Sequence, residues 1–147
     1  MSKINYISLL GIGLLFLIAC NKEDDKPKIT IDETPYILEY GALPAPDLPT
    51  DNLLTVQGVQ LGRMLFYETM LSKDGTQSCA DCHRQSDGFS DTTRFSIGVE
   101  GLPGKRQAMP VFNMAWHSNE FFWDGRAHLL RDQALKPIQD PLEMNET

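Results

Sequence analysis

Cys79-Ala80-Asp81-Cys82-His83 sets two thiols three positions apart and an imidazole directly after them. On a helical turn this spacing lines both thiols along one edge, where they can add to the vinyl groups of a haem. The imidazole then swings under the porphyrin as proximal ligand. One covalently attached haem c, held by Cys79 and Cys82 with His83 on the iron, is the chemistry these residues predict. A Cys-x-x-Cys pair also serves as a disulfide, a thioredoxin-like redox pair or half a zinc site. No cysteine follows Cys82 to complete a zinc site, and the chain lacks the βαβ pattern of a thioredoxin-like motif.

Two further side chains can point toward the haem, though each alone is an ordinary polar residue near a chain end. Gln133 follows Leu129 by four residues and Leu130 by three, so a helix there carries a primary amide at the edge of its apolar face. Glu143 comes after Pro137-Ile138-Gln139-Asp140-Pro141, whose prolines stiffen the turn and can aim the carboxylate back into the domain. Splitting hydrogen peroxide at ferric haem needs a vacant iron position, a group that accepts and returns a proton, and a route for electrons. A buried carboxyl is suited to the proton work because desolvation raises its pKa toward the working range. The reading from another class is an electron-transfer cytochrome, in which Met109, Met114 or Met144 takes the sixth position and excludes peroxide. Arg63, Arg106 and Arg126 are candidates to pair with haem propionates.

The elements that hold these groups are short. A first helix is expected over 55–66, with Thr55 as N-cap and Leu54, Gly58, Leu61 and Leu65 along one face. Gly58 and Gly62 leave room for another backbone. A second helix over 79–85 carries the haem attachment. The 87–119 stretch, with Gly88, Gly98, Gly101, Gly104, Pro103 and Pro110, reads as a long cofactor-wrapping loop. The last helix is expected over 127–135, set up by an Asp124-Gly125 turn and stopped by Pro137. The fold is therefore all-α, a cytochrome c-like domain of about three to five helices round one haem.

Residues 1–19 read as a lipoprotein signal peptide. Lys3 gives a positive n-region, an apolar run follows, and Leu17-Ile18-Ala19 approaches Cys20, the expected lipidation site. Residues 20–50 are a tether and a linker punctuated by Pro27, Pro35, Pro44, Pro46 and Pro49, and 51–147 is the haem domain. With 20 acidic against 13 basic residues and a net charge of −7, nucleic acid is excluded as a partner. The charged run 21–26 lacks an aspartate directly after Cys20. This points to a periplasmic protein anchored by lipid in the outer membrane, and the acidic run is also compatible with surface exposure.

Six separated blocks then occur in a familiar order: Leu61-Gly62-Arg63-Met64-Leu65-Phe66-Tyr67, Leu71-Ser72-Lys73-Asp74-Gly75-Thr76, the Cys-x-x-Cys-His motif with Gly88-Phe89-Ser90-Asp91, Phe122-Trp123-Asp124-Gly125-Arg126-Ala127, Gln133-Ala134 and Pro141-Leu142-Glu143-Met144. In these the chain resembles the N-terminal, peroxidatic half of bacterial di-haem cytochrome c peroxidases and the related MauG-like enzymes. The resemblance implies that His83 is the proximal ligand, that Glu143 moves a proton between the peroxide oxygens, that Gln133 orients the peroxide, and that Trp123 passes electrons between two haems. It implies a small cytochrome c or cupredoxin as donor. It leaves peroxide detoxification and MauG-like oxidation of another substrate both open.

The chain departs from the family pattern in two places. Val99 stands where many members carry a histidine that caps the iron until reductive activation, so an open haem is expected, with His117 and His128 as the alternative ligands. The sequence also ends at Thr147, where the family continues into a second Cys-x-x-Cys-His domain; a longer protein is expected, with a second haem in its C-terminal half. The family's calcium site is unsupported, because Ala108 stands near the asparagine expected before Pro110.

Overall fold

The computed structural model describes residues 29–117 and 120–146. The expected signal peptide and Cys20 lie outside the described residues. One compact unit begins at Asp32. It contains α1 (Val56–Phe66), α2 (Cys79–Cys82) and α3 (Leu130–Gln139), joined by loops that include four single-turn 3-10 segments. Among the described residues there is no β-strand longer than an isolated bridge, so the fold is all-α. No described helix is long and apolar enough to cross a membrane.

The proline-rich stretch lies along this unit. Tyr36 N–H donates to the Leu54 carbonyl at 3.0 Å and Val56 N–H to the Thr34 carbonyl at 2.9 Å. Trp116 Nε1 donates to the Pro44 carbonyl at 2.7 Å, with the Tyr40 ring meeting the indole edge-on. Arg131 grips Asp51 with two bonds of 2.8 and 2.7 Å. The compact unit that begins at Asp32 thus takes in the proline-rich stretch. The prolines suit this course because they give up ladder donors that an extended surface strand does not need.

α1 starts as its sequence dictates, with Thr55 Oγ1 accepting from Gly58 N–H at 3.0 Å. Its expected apolar face does not meet a protein core: Leu61 and Leu65 are 55% and 41% exposed. The second helix is shorter than expected, ending at Cys82 because His83 leaves helical geometry at φ −114°, ψ 67°. This lets the chain fold back, Arg84 N–H reaching the Ser90 carbonyl at 3.0 Å and Phe89 N–H the Arg84 carbonyl at 2.8 Å. Gln85–Asp87 forms a separate 3-10 turn.

The last helix is displaced toward the C-terminus. Ala127 is buried and pairs with Phe121, so α3 begins only at Leu130, and Asp124 does not stand at its start. Pro137 lies inside the helix and does not stop it. A proline there removes one bond to the preceding turn. The returning chain caps the helix end, Met144 N–H donating to the Pro137 carbonyl at 3.1 Å and Glu146 N–H to that of Ile138 at 2.8 Å, two of the last-turn carbonyls that have no partner within the helix. These bonds fold the Glu143 segment against the end of α3.

The interior is sparse. Among the described residues, the buried apolar side chains are Val99, Phe121, Ala127 and Met144 alone, while many large ones remain exposed. A domain of this size with so little apolar contact lacks most of a core.

Candidate functional site

A cleft of about 440 Å³ occupies the place where a core would be. Cys82, His83, Met109, Trp123, Gln133 and Glu143 all line it. α2 and the residue that caps its end supply the first two, the 87–119 loop Met109, the segment before α3 Trp123, α3 the amide and the returning turn the carboxylate. Cys79 is half-buried one helical turn from Cys82 and does not line the cleft.

His83 is held by the loop it precedes. Its Nδ1 lies 3.2 Å from the Phe89 carbonyl. A carbonyl can only accept, so Nδ1 carries the proton and Nε2 is the nitrogen that can ligate. Phe89 presents that carbonyl from a positive φ of 56°, directly after Gly88 at φ 66°. Such a conformation costs a non-glycine residue roughly 1 kcal/mol. Burial lowers the His83 pKa, partly offset by backbone hydrogen bonds to Phe89 and Met109, and this favours the neutral, metal-binding imidazole.

Burial pushes both thiols up, Cys82 to about 11, with nearby carboxylates adding to the effect. A reactive dithiol pair has its thiol pKa lowered, so these cysteines do not have the electrostatics of a thioredoxin-like site. Two unpaired thiols, a neutral imidazole of fixed tautomer and an apolar hollow in place of a core together fit a covalently held haem. His83 would ligate its iron, and Cys79 and Cys82 would hold its edge.

The two polar groups expected from sequence share this cleft with His83. Glu143 is half-buried and its carboxyl is raised above the ordinary range, by desolvation first and by the charge of Asp140 second, with Arg126 opposing. Gln133 is half-buried on α3. Trp123 is 59% exposed, its Nε1 donating to the Gln107 carbonyl at 3.0 Å. Arg106 and Arg126 line the same cleft, each 2.8 Å from Asp124, and Arg126 also lies 3.6 Å over the Phe122 ring. Hydrogen bonding from Arg126, aided by Arg106, holds the exposed Asp124 carboxyl at about 2. The group carries one net positive charge beside the cleft. Arg63 lines a separate shallow hollow with Phe66 and Tyr67.

The remaining sequence candidates divide. Met109 and Met114 line the cleft, whereas Met144 is buried elsewhere. His117 packs edge-on against Phe121 and His128 pairs with Glu120 at 2.9 Å; neither lines the cleft. Val99 is buried with its N–H on the Glu143 carbonyl. Ala108 bonds Ser96 and Ser90 through its backbone, and among the described residues no cluster of three acidic, cysteine or histidine side chains is arranged to hold a metal. Sequence reasoning missed Gln77, whose Nε2 reaches Cys82 Sγ, and the double pairing of Asp124; neither is signalled by periodicity or motif.

Residues 56–147 match the family model described as di-haem cytochrome c peroxidase. Over 97 residues the chain is 45% identical to the methylamine utilization protein MauG of Methylorubrum extorquens, covering 66% of this chain and 27% of that protein. It is 45% identical over 97 residues to the cytochrome c peroxidase Ccp of Escherichia coli, covering 66% of this chain and 20% of that one. A solved MauG-like protein associated with microbial copper homeostasis superposes with a TM-score of 0.69 at 34% identity, over 76% of this chain and 33% of that one. The chain thus spans about a quarter of the length of these curated relatives. Its motifs, its helical frame and its matched length agree: this chain belongs to the di-haem cytochrome c peroxidase family.

Proposed function

We propose that this domain holds one haem c through Cys79, Cys82 and His83 and reduces hydrogen peroxide to water. The observation that carries the reading is that Glu143 and Gln133 line the same cleft as Cys82 and His83. A haem held there would supply a redox-active iron suited to peroxide reduction. Glu143 accepts the proton of the near peroxide oxygen on its carboxylate and returns it to the far one, which leaves as water. Gln133 donates an amide N–H that fixes the orientation of the peroxide. Arg126 draws the Glu143 pKa down against the pull of burial, keeping the carboxyl able both to accept and to donate.

Trp123 is the electron path into the cleft, from a second haem in a C-terminal half and ultimately from a small cytochrome c or cupredoxin. The protein works in the periplasm, fixed through Cys20 to the outer membrane. The family name of one relative, a methylamine utilization protein, supports a second reading in which peroxide drives oxidation of another substrate at the same site.

Glu143→Gln in the haem-loaded protein tests the central step. Peroxide turnover is expected to fall about 10²- to 10⁴-fold with covalent haem content unchanged. Wild-type turnover in that variant would remove Glu143 from the mechanism.

A further inference from the structure

The sulfur of Cys82 and the backbone behind Glu143 are joined by a path that runs through one interior side chain. Gln77 is 8% exposed, and its Nε2 donates to the Ile97 carbonyl at 2.9 Å and lies 3.3 Å from Cys82 Sγ. Only the nitrogen end of an amide can face a carbonyl oxygen, so Ile97 fixes which way the group points. The other end shows what this orientation sacrifices: Gln77 Oε1 is a buried side-chain oxygen without a hydrogen-bond partner. The Gln77 N–H is itself held by Ser72 Oγ at 3.1 Å, and that hydroxyl donates to the Thr69 carbonyl at 2.8 Å. Main chain and side chain are therefore both anchored.

From Ile97 the path continues without slack. A Cβ built on Gly98 would fall 2.1 Å from the Leu142 carbonyl oxygen and 2.7 Å from that of Glu143. Gly98 has φ −89°, open to any residue, so glycine is needed there for closeness and not for conformation. Val99 is 2% exposed and gives its N–H to the Glu143 carbonyl at 2.8 Å. Lys73 closes the frame from outside, its N–H on the Met144 carbonyl at 2.9 Å and its ammonium on Glu100 at 2.7 Å.

We propose that Gln77 is a positioning residue: its amide ties Cys82 to the 97–99 loop, and through that loop it sets the backbone from which the Glu143 carboxylate enters the cleft. A thioether formed at Cys82 keeps its sulfur lone pairs, so the weak N–H···S contact outlasts haem attachment. The strut thus sets the attached edge of the cofactor and the proton-handling carboxylate at one spacing. The part of this inference that concerns turnover rests on the role proposed for Glu143.

The test uses the haem-loaded full chain with Gln77→Met, which keeps volume and loses both N–H donors, and Gln77→Glu, which keeps length and loses them too. Glu143→Gln is measured alongside. Hydrogen–deuterium exchange by mass spectrometry reads the 95–101 and 140–146 segments, pyridine haemochrome reads covalent haem, and steady-state kinetics separate kcat from KM. Covalent haem is expected to persist, exchange to rise in both segments together, and kcat to fall about tenfold or more with KM for peroxide within about twofold. Exchange that rises only around 72–84, or a kcat within about twofold of wild type while Glu143→Gln is impaired, would overturn the inference. Should Glu143→Gln turn over at the wild-type rate, the role of Glu143 falls, and joint exchange of the two segments alone decides for or against the strut. Gln77→Glu supplies the same readouts where Gln77→Met does not accumulate.

Discussion

Glu143 is asked to do chemistry in a place that does not suit its charge. Burial raises its pKa, Asp140 raises it further and Arg126 opposes. A carboxyl with a higher pKa in the folded state stabilises the fold while it is protonated, below an unfolded value of about 4.3, and that contribution is lost as pH rises through the folded value. Glutamine is neutral throughout and nearly the same shape. Haem-loaded Glu143→Gln is therefore expected to resist urea better than wild type at pH 7 and to match it below about pH 4. An equal difference at both pH values would mean that burial of the charge is not the cause. Proton acceptance needs the ionised form, so peroxide kcat/KM is expected to rise with pH along an acid limb lying above the ordinary glutamate range, and that limb should vanish in Glu143→Gln. The same substitution gains stability and loses turnover, as expected where a site is strained for function.

At the scale of elements, α1 shows how two local rules oppose each other. Thr55→Ala removes the acceptor of the Gly58 N–H and is expected to cost about 1 kcal/mol, read as a lower melting temperature. Gly58→Ala would ordinarily gain about 1 kcal/mol of helix propensity, but its Cβ would meet Thr55 Oγ1 at 2.9 Å. The gain should therefore be muted in wild type and recovered in the Thr55→Ala background; strict additivity of the two changes would refute the clash. The sequence showed this helix and its cap because both are local. The Cys79-x-x-Cys82-His83 spacing is likewise local, whereas Gln133 and Glu143 stood out only through the family resemblance; Cys82, His83, Gln133 and Glu143 line one cleft. The sequence did not show that α3 continues through Pro137 to Gln139, since the N–H groups that cap the carbonyls of its last turn come from Met144 and Glu146 in a later turn. Nor did it show that Asp124 would leave the helix start to pair with Arg106, because that contact depends on how the long loop is folded. Gln77 was invisible for the same reason: its partner Ile97 lies twenty positions on.

Among the described residues the interior is a cleft where a core would be. The four buried apolar side chains among the described residues are too few to sustain a domain of this length, and Leu61, Leu65 and Trp123 stay exposed where a compact protein would cover them. A haem in the 440 Å³ cleft would offer a large flat apolar surface to Met109, Phe121 and Trp123, which line it, and attachment through Cys79 and Cys82 would make that core permanent. Haem-free Cys79→Ala/Cys82→Ala protein is therefore expected to retain helical far-ultraviolet circular dichroism, to lose its near-ultraviolet signal, and to unfold without a sharp transition. The haem-loaded wild type should melt cooperatively. A sharp, equal transition in both would mean that the protein core suffices alone. The iron's sixth position is the remaining question at this scale, since Met109 and Met114 face the same cleft as Glu143 and Gln133. A high-spin ferric EPR signal from the loaded protein is expected, because a peroxide-reducing site needs that position open. A wholly low-spin signal would assign it to one of the two methionines and make the domain an electron carrier; Met109→Ala and Met114→Ala would then show which, by turning the signal high-spin.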